Sequence, residues 1–108
     1  KIAQVEIDLY ALDHLTLRLI ANAQAGQPVG PEASILKLRG TEVAQQLSLL
    51  LVDALSTLAA SAPATAIGAG LPSAQALAGQ YFNWRKLTIY GGSNEIQRNI
   101  IAKTVLSL

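Results

Sequence analysis

Apolar residues return every three or four positions from the start of the chain: Ile2, Val5, Leu9, Leu12, Leu19 and Ala23, while Gln4, Asp8, Arg18 and Asn22 fall on another face. That period predicts an amphipathic helix over residues 2–25. Residues 26–31 contain two glycines and two prolines, which end one helix and let the next begin at Pro31 or soon after. A second pattern over residues 32–60 puts Leu36, Gly40, Val43, Leu47, Leu50, Ala54 and Leu58 on one side and Glu42, Gln45, Asp53 and Ser56 away from it. A helix of that length extends roughly 40 Å at about 1.5 Å per residue. Gly40 in its interior costs about 1 kcal/mol relative to alanine, so it is read as permitting close approach of a neighbouring helix.

Residues 61–72 are rich in Ala, Gly, Pro and Ser and read as a loop. A third helix is predicted over 73–90, with Leu77, Tyr81, Trp84 and Thr88 on one stripe, and a fourth over 94–106, with Ile96, Ile100, Ile101 and Val105. No segment alternates as a strand does, and no internal repeat is evident. The expected architecture is all-α, an antiparallel four-helix bundle-like domain spanning residues 1–108.

Composition removes several function classes. Eight basic against seven acidic residues, with neither sign gathered into a block, give no electrostatic footprint for nucleic acid. Without cysteine there are no disulfides or thiolate ligands, which agrees with a cytoplasmic protein. His14 is the sole histidine, so one copy of the chain cannot build a multi-histidine metal site. Although 51% of residues are hydrophobic, no run approaches the roughly 18 uninterrupted apolar residues of a membrane span. The chain is expected to be soluble and well buried. Its start, Lys1 to Glu6, enters a helical pattern at once with acids interspersed, unlike a signal peptide. Beginning within a helix, without methionine or cap, it reads as a processed or excised piece.

The most distinctive string is Thr88-Ile89-Tyr90-Gly91-Gly92-Ser93-Asn94-Glu95-Ile96-Gln97-Arg98-Asn99-Ile100-Ile101-Ala102-Lys103. Two adjacent glycines adopt positive φ without a Cβ penalty and reverse the chain in little space. Ser93 or Asn94 then supplies an N-cap, and Asn94 with Gln97 fits a capping box. By itself this is a well-made joint between helices. It also offers N–H groups at a helix N-terminus, a hydroxyl and an amide to a polar ligand.

This string closely resembles the C-terminal signature of the acyl-CoA dehydrogenase family. Gly30-Pro31-Glu32-Ala33-Ser34-Ile35-Leu36-Lys37-Leu38 is similar to the family's start of the second long helix of that domain, and Tyr81-Phe82-Asn83-Trp84-Arg85 to the approach to the signature. The likeness covers essentially the whole chain. It implies a C-terminal helical domain without its first helix, and without the N-terminal helical and central β domains. The implied reaction is FAD-dependent α,β-desaturation of an acyl-CoA, in which a carboxylate takes the α-proton while hydride leaves the β-carbon for the flavin. Gly91 would donate its main-chain N–H to the thioester oxygen, with Gly92 beside the substrate, and Ser93, Asn94 and Glu95 would contact FAD. The implied partners are acyl-CoA, electron-transfer flavoprotein or a similar acceptor, and further subunits of a homo- or hetero-oligomer.

Two departures matter. Many members carry a glutamate directly after the signature tyrosine, where this chain has Gly91, and glycine cannot act as the base. Glu95 falls in the first turn of the fourth helix, where a carboxylate meets the helix dipole favourably. The family's other options are a base from an earlier helix of the domain or from a different subunit. The Gln-x-x-Gly-Gly-x-Gly segment that contacts a neighbouring subunit's FAD corresponds here to residues 53–60, Asp-Ala-Leu-Ser-Thr-Leu-Ala-Ala, so that contact is not expected.

Elsewhere the residues favour plain roles. His14 reads as a partly exposed packing residue. Arg85 and Arg98 either bind phosphate or serve helix ends and acidic neighbours. Tyr81 and Trp84 read as core or interface aromatics. Three functions are thus open: part of a desaturating flavoenzyme, a non-catalytic structural subunit of such an enzyme, or a helical interaction module.

Overall fold

The computed structural model describes residues 1–61 and 74–107 and is all-α. Its elements are α1 (Ile2–Gln24), α2 (Glu32–Ser61), α3 (Ala74–Trp84), a 3₁₀ turn (Arg85–Thr88) and α4 (Asn94–Val105), with no strand among the described residues. Beyond Ser61, which closes α2, the connection read over residues 61–72 lies outside the described residues, as does Ser73. Gly26 ends α1 at φ 73°. Its N–H donates to Ala23 O and that of Gln27 to Asn22 O, each at 3.0 Å, so the last carbonyls of α1 are satisfied by a left-handed glycine closure.

Helix α2 is the axis of the molecule. Helices α1, α3 and α4 each pack against it, while no two of these three share a comparable interface. The result is elongated, 56 × 25 × 20 Å, with a radius of gyration of 18.0 Å, against about 13 Å for a compact domain of this length.

That arrangement corrects the expectation of a well-buried chain. Val5 on α1 and Val43 on α2 are the buried hydrophobic residues among those described. Ile2 and Leu9 of the first apolar stripe, Leu47 and Leu58 of the second, and Ile96, Ile100 and Val105 of the fourth are all exposed. Periodicity identifies a helix's apolar face but not what covers it, and each outer helix has one principal neighbour. Gly40 is corrected as well: a Cβ built there meets nothing within 4 Å, so no close helix approach requires it. Gln45, expected to point away, is half-buried and faces the end of α3.

Candidate functional site

The glycine turn is set up by an early end to α3. The predicted third helix runs to Tyr90, but α-helical geometry stops at Trp84 and a 3₁₀ turn follows. Gln45 Nε2 on α2 donates to Trp84 O at 3.1 Å and to Arg85 O at 3.3 Å, and Thr88 Oγ1 donates to Arg85 O at 3.1 Å. These donors supply partners to carbonyls at a helix end, where the ladder leaves acceptors open. Ile89 and Tyr90 then both donate their N–H groups to Lys86 O, at 2.9 and 3.2 Å.

Gly91 and Gly92 follow at φ 69° and 85°, left-handed values that L side chains rarely adopt. Around Gly91 the space is open, since a Cβ there meets nothing within 4 Å. A Cβ on Gly92 would lie 2.6 Å from Gln97 Nε2, and that amide donates to Gly91 O at 3.3 Å. Gln97 therefore closes the turn from the far side instead of forming a capping box with Asn94. The N-cap is Ser93, in extended geometry, its hydroxyl accepting from Ile96 N at 3.4 Å.

Asn94, the first residue of α4, turns inward. It is 4% exposed, with Oδ1 accepting from Lys37 Nζ at 2.8 Å and Nδ2 donating to Thr41 Oγ1 at 3.3 Å. The turn thus divides into an inner and an outer set of groups. Gly91 and Glu95 are exposed, and Gly92 and Ser93 half-buried. The main-chain N–H groups of Gly91, Gly92, Ser93 and Asn94 have no acceptor among the described residues. Such a run of free donors at the positive end of a helix suits a carbonyl, hydroxyl or phosphate oxygen.

Glu95 is exposed. A hydrogen bond from its own backbone N–H, then one from the Ser93 hydroxyl, holds its carboxyl below the ordinary value against an opposing desolvation, with lesser help from the Arg98 and Lys37 charges. Arg98 Nη2 lies 3.3 Å from Glu42 Oε1 and its Nη1 4.0 Å from Glu95 Oε1. Glu42 in turn meets Arg39 at 2.7 Å, and Arg39 meets Asp8 at 3.0 Å. This ion-pair chain links α4 to α1 across α2. Arg85 stacks over the Tyr81 ring with its guanidinium carbon 4.7 Å from the centroid. Both arginines therefore have partners within the chain.

Other candidate chemistry is sparse. His14 is exposed, and no group of three or more metal-ligating side chains occurs among the described residues. No helix among them is long and apolar enough to cross a membrane. An apolar groove of about 1020 Å³ runs between α1 and the second half of α2, past Val5, Leu9, Leu50 and Ala54, but no residue of the glycine turn lines it. Residue pattern singled out Gly91 to Glu95, while Thr41 and Gln45, which hold that turn in place, escaped it.

A family model described as the acyl-CoA dehydrogenase C-terminal domain matches residues 1–106. Two curated proteins, each called acyl-CoA dehydrogenase IpdE1, come from Mycobacterium tuberculosis (strain ATCC 25618 / H37Rv) and Mycolicibacterium smegmatis (strain ATCC 700084 / mc(2)155). Each is 57% identical to this chain over 37 residues, covering 28% of this chain and 10% and 9% of the respective relatives. The matched stretch is thus about a tenth of their length. No solved structure matches the chain.

Proposed function

Because the chain belongs to the acyl-CoA dehydrogenase family through its C-terminal domain, we propose that it serves as that domain in an intact FAD-dependent enzyme that desaturates an acyl-CoA thioester. In this reading it supplies the cofactor-facing turn and part of the oligomer core, and electrons pass to electron-transfer flavoprotein or a similar acceptor. The observation that carries the proposal is the row of N–H groups from Gly91 to Asn94, at the start of α4, without an acceptor among the described residues. FAD, when bound, supplies the acceptor for the β-hydride.

The turn's own contribution is electrostatic. Gly91 N–H donates to the thioester oxygen, drawing charge onto it and making the α-proton more acidic; removing one donor of this type costs about 2.7–4 kcal/mol of transition-state stabilisation. Gly92 leaves room beside the substrate, Ser93 and Glu95 offer side-chain contacts to the cofactor, and Asn94 contributes through its main-chain N–H, its side chain being engaged by Lys37 and Thr41. The turn does not supply the base. Gly91 has no side chain, and the Glu95 carboxyl, held below its ordinary value, is a poor proton acceptor. The base comes from elsewhere in the intact protein or from a partner subunit.

The glycine at position 91 favours a second reading, a structural subunit of a heteromeric enzyme whose partner performs the chemistry. Purified intact protein separates these readings. Stoichiometric flavin absorbance, bleached on addition of acyl-CoA, is the expected result for the active enzyme. Flavin that bleaches only with a second, different subunit present selects the structural one. An intact protein that stays colourless alone and with its partner subunit present sinks both and leaves a helical interaction module. The 108-residue chain by itself is expected to be inactive and to bind FAD weakly or not at all.

A further inference from the structure

Lys37 occupies an electrostatically awkward position. Its ammonium meets the first residue of α4, at the end of the helix where the aligned peptide dipoles already concentrate positive charge. Among the described residues no carboxylate lies within ion-pair distance of it. A lysine placed for the stability of α4 would sit at the opposite end of the helix. The Lys37 ammonium donates to the amide oxygen of buried Asn94, 2.8 Å away.

The orientation of that amide follows from the donors and acceptors around it. Thr41 has one hydroxyl proton and lies 2.9 Å from Leu38 O and 3.3 Å from Asn94 Oδ1; given to the nearer carbonyl, that proton leaves the oxygen to accept from Asn94 Nδ2 at 3.3 Å. The ammonium can only donate, so it takes Oδ1. Residues on one turn of α2 thereby engage both ends of the Asn94 amide. Fixing Asn94 inward fixes the backbone at the start of α4, next to Gly91, Gly92 and Ser93, whose N–H groups have no acceptor among the described residues.

We propose that Lys37 is a positioning residue for the glycine turn: by holding Asn94 inward through its side-chain oxygen, it aims the main-chain donors of residues 91–93 at the ligand. This rests on the reading of the turn as the cofactor- and thioester-facing surface. Without Lys37, Asn94 loses its shortest contact and is left to the Thr41 hydroxyl, 3.3 Å from each end of the amide, and the donors lose their alignment even though the helices remain. Misplacement of a reacting group by about 1 Å can cost on the order of 100-fold in rate.

The test compares Lys37→Met and Lys37→Arg in the intact protein. Circular dichroism and oligomeric state should match wild type in both. Lys37→Met is expected to shift the bound-flavin absorption spectrum, speed amide exchange at Gly91 to Ser93, and lower kcat by about 10-fold or more with a much smaller change in KM. Lys37→Arg, which retains a donor cation, should recover a large part of each. Unchanged spectrum, exchange and kcat in folded Lys37→Met overturn the proposal. Should Lys37→Met fail to fold, Thr41→Val, which removes the acceptor for Nδ2, should give the same spectral change in smaller measure, and an unaltered spectrum there overturns it equally. A wild-type protein without flavin defeats the underlying reading and this inference together. A yellow, active wild type beside an unaffected Lys37→Met defeats the inference alone.

Discussion

Gln45 on α2 donates its side-chain amide to the carbonyl of Trp84, 3.1 Å away, where α3 gives way to the 3₁₀ turn. A long-range side chain thus takes up an acceptor at the point where the helix ends. Gln45→Leu keeps the bulk but leaves that carbonyl without its partner, and the expected cost is about 0.5–1.5 kcal/mol. Denaturant unfolding of the intact protein measures it, and a variant as stable as wild type would show that water replaces the amide at no cost.

The two glycines should respond differently to alanine. Each adopts left-handed φ, which costs an L-residue roughly 1–2 kcal/mol. Gly91→Ala meets only this strain because the space around it is open, whereas Gly92→Ala also drives its Cβ against Gln97 Nε2 and disturbs the bond from that amide to Gly91 O. Melting temperatures should therefore fall in the order wild type, Gly91→Ala, Gly92→Ala.

Open space at Gly91 also permits a carboxylate to be introduced there. If the intact protein desaturates an acyl-CoA with a base supplied elsewhere, as proposed, Gly91→Glu should not raise that rate. A large gain in steady-state turnover would show that the assembled protein lacks a base.

Glu95 carries a pH signature. Its carboxyl is held below the ordinary value in the folded chain, so its stabilising contribution is complete above the unfolded carboxylate range and is lost as pH falls through the lower folded value. Glu95→Gln should lower the melting temperature at neutral pH, and the difference from wild type should close on acidification. A difference that stays constant down to acidic pH would contradict the assignment.

The Arg98 to Glu42 pair, at 3.3 Å with Arg98 half exposed, should contribute little. A double-mutant cycle with Arg98→Met and Glu42→Gln is expected to give about 0.2–1 kcal/mol of coupling, shrinking with added salt. Coupling well above that range would mean that the chain from Asp8 through Arg39 acts as one network.

The four helices and the turn were legible because their signals are local: apolar spacing, the Gly26 closure and the Gly91-Gly92 pair. The break after Trp84 was not, since the spacing of Leu77, Tyr81, Trp84 and Thr88 runs on at helical intervals while the Gln45 side chain that meets the helix end comes from α2. Asn94 escaped for a related reason. Ser93 and Asn94 are equally good caps, and what separates them is a contact with Lys37, 57 residues away in sequence. The apolar faces of α1 and α4 were read correctly as apolar, yet Ile2, Leu9, Ile96 and Ile100 lie exposed because coverage belongs to tertiary structure.

That sparse interior has a calorimetric meaning. The heat-capacity step on unfolding comes mainly from apolar surface newly wetted, and for ordinary domains it amounts to about 12–15 cal/mol/K per residue. Here Ile2, Ile7, Tyr10, Phe82 and Ile96 are already wet in the folded chain. The isolated 108 residues should therefore show a small step and a shallow stability curve, and whatever closes those faces would steepen it.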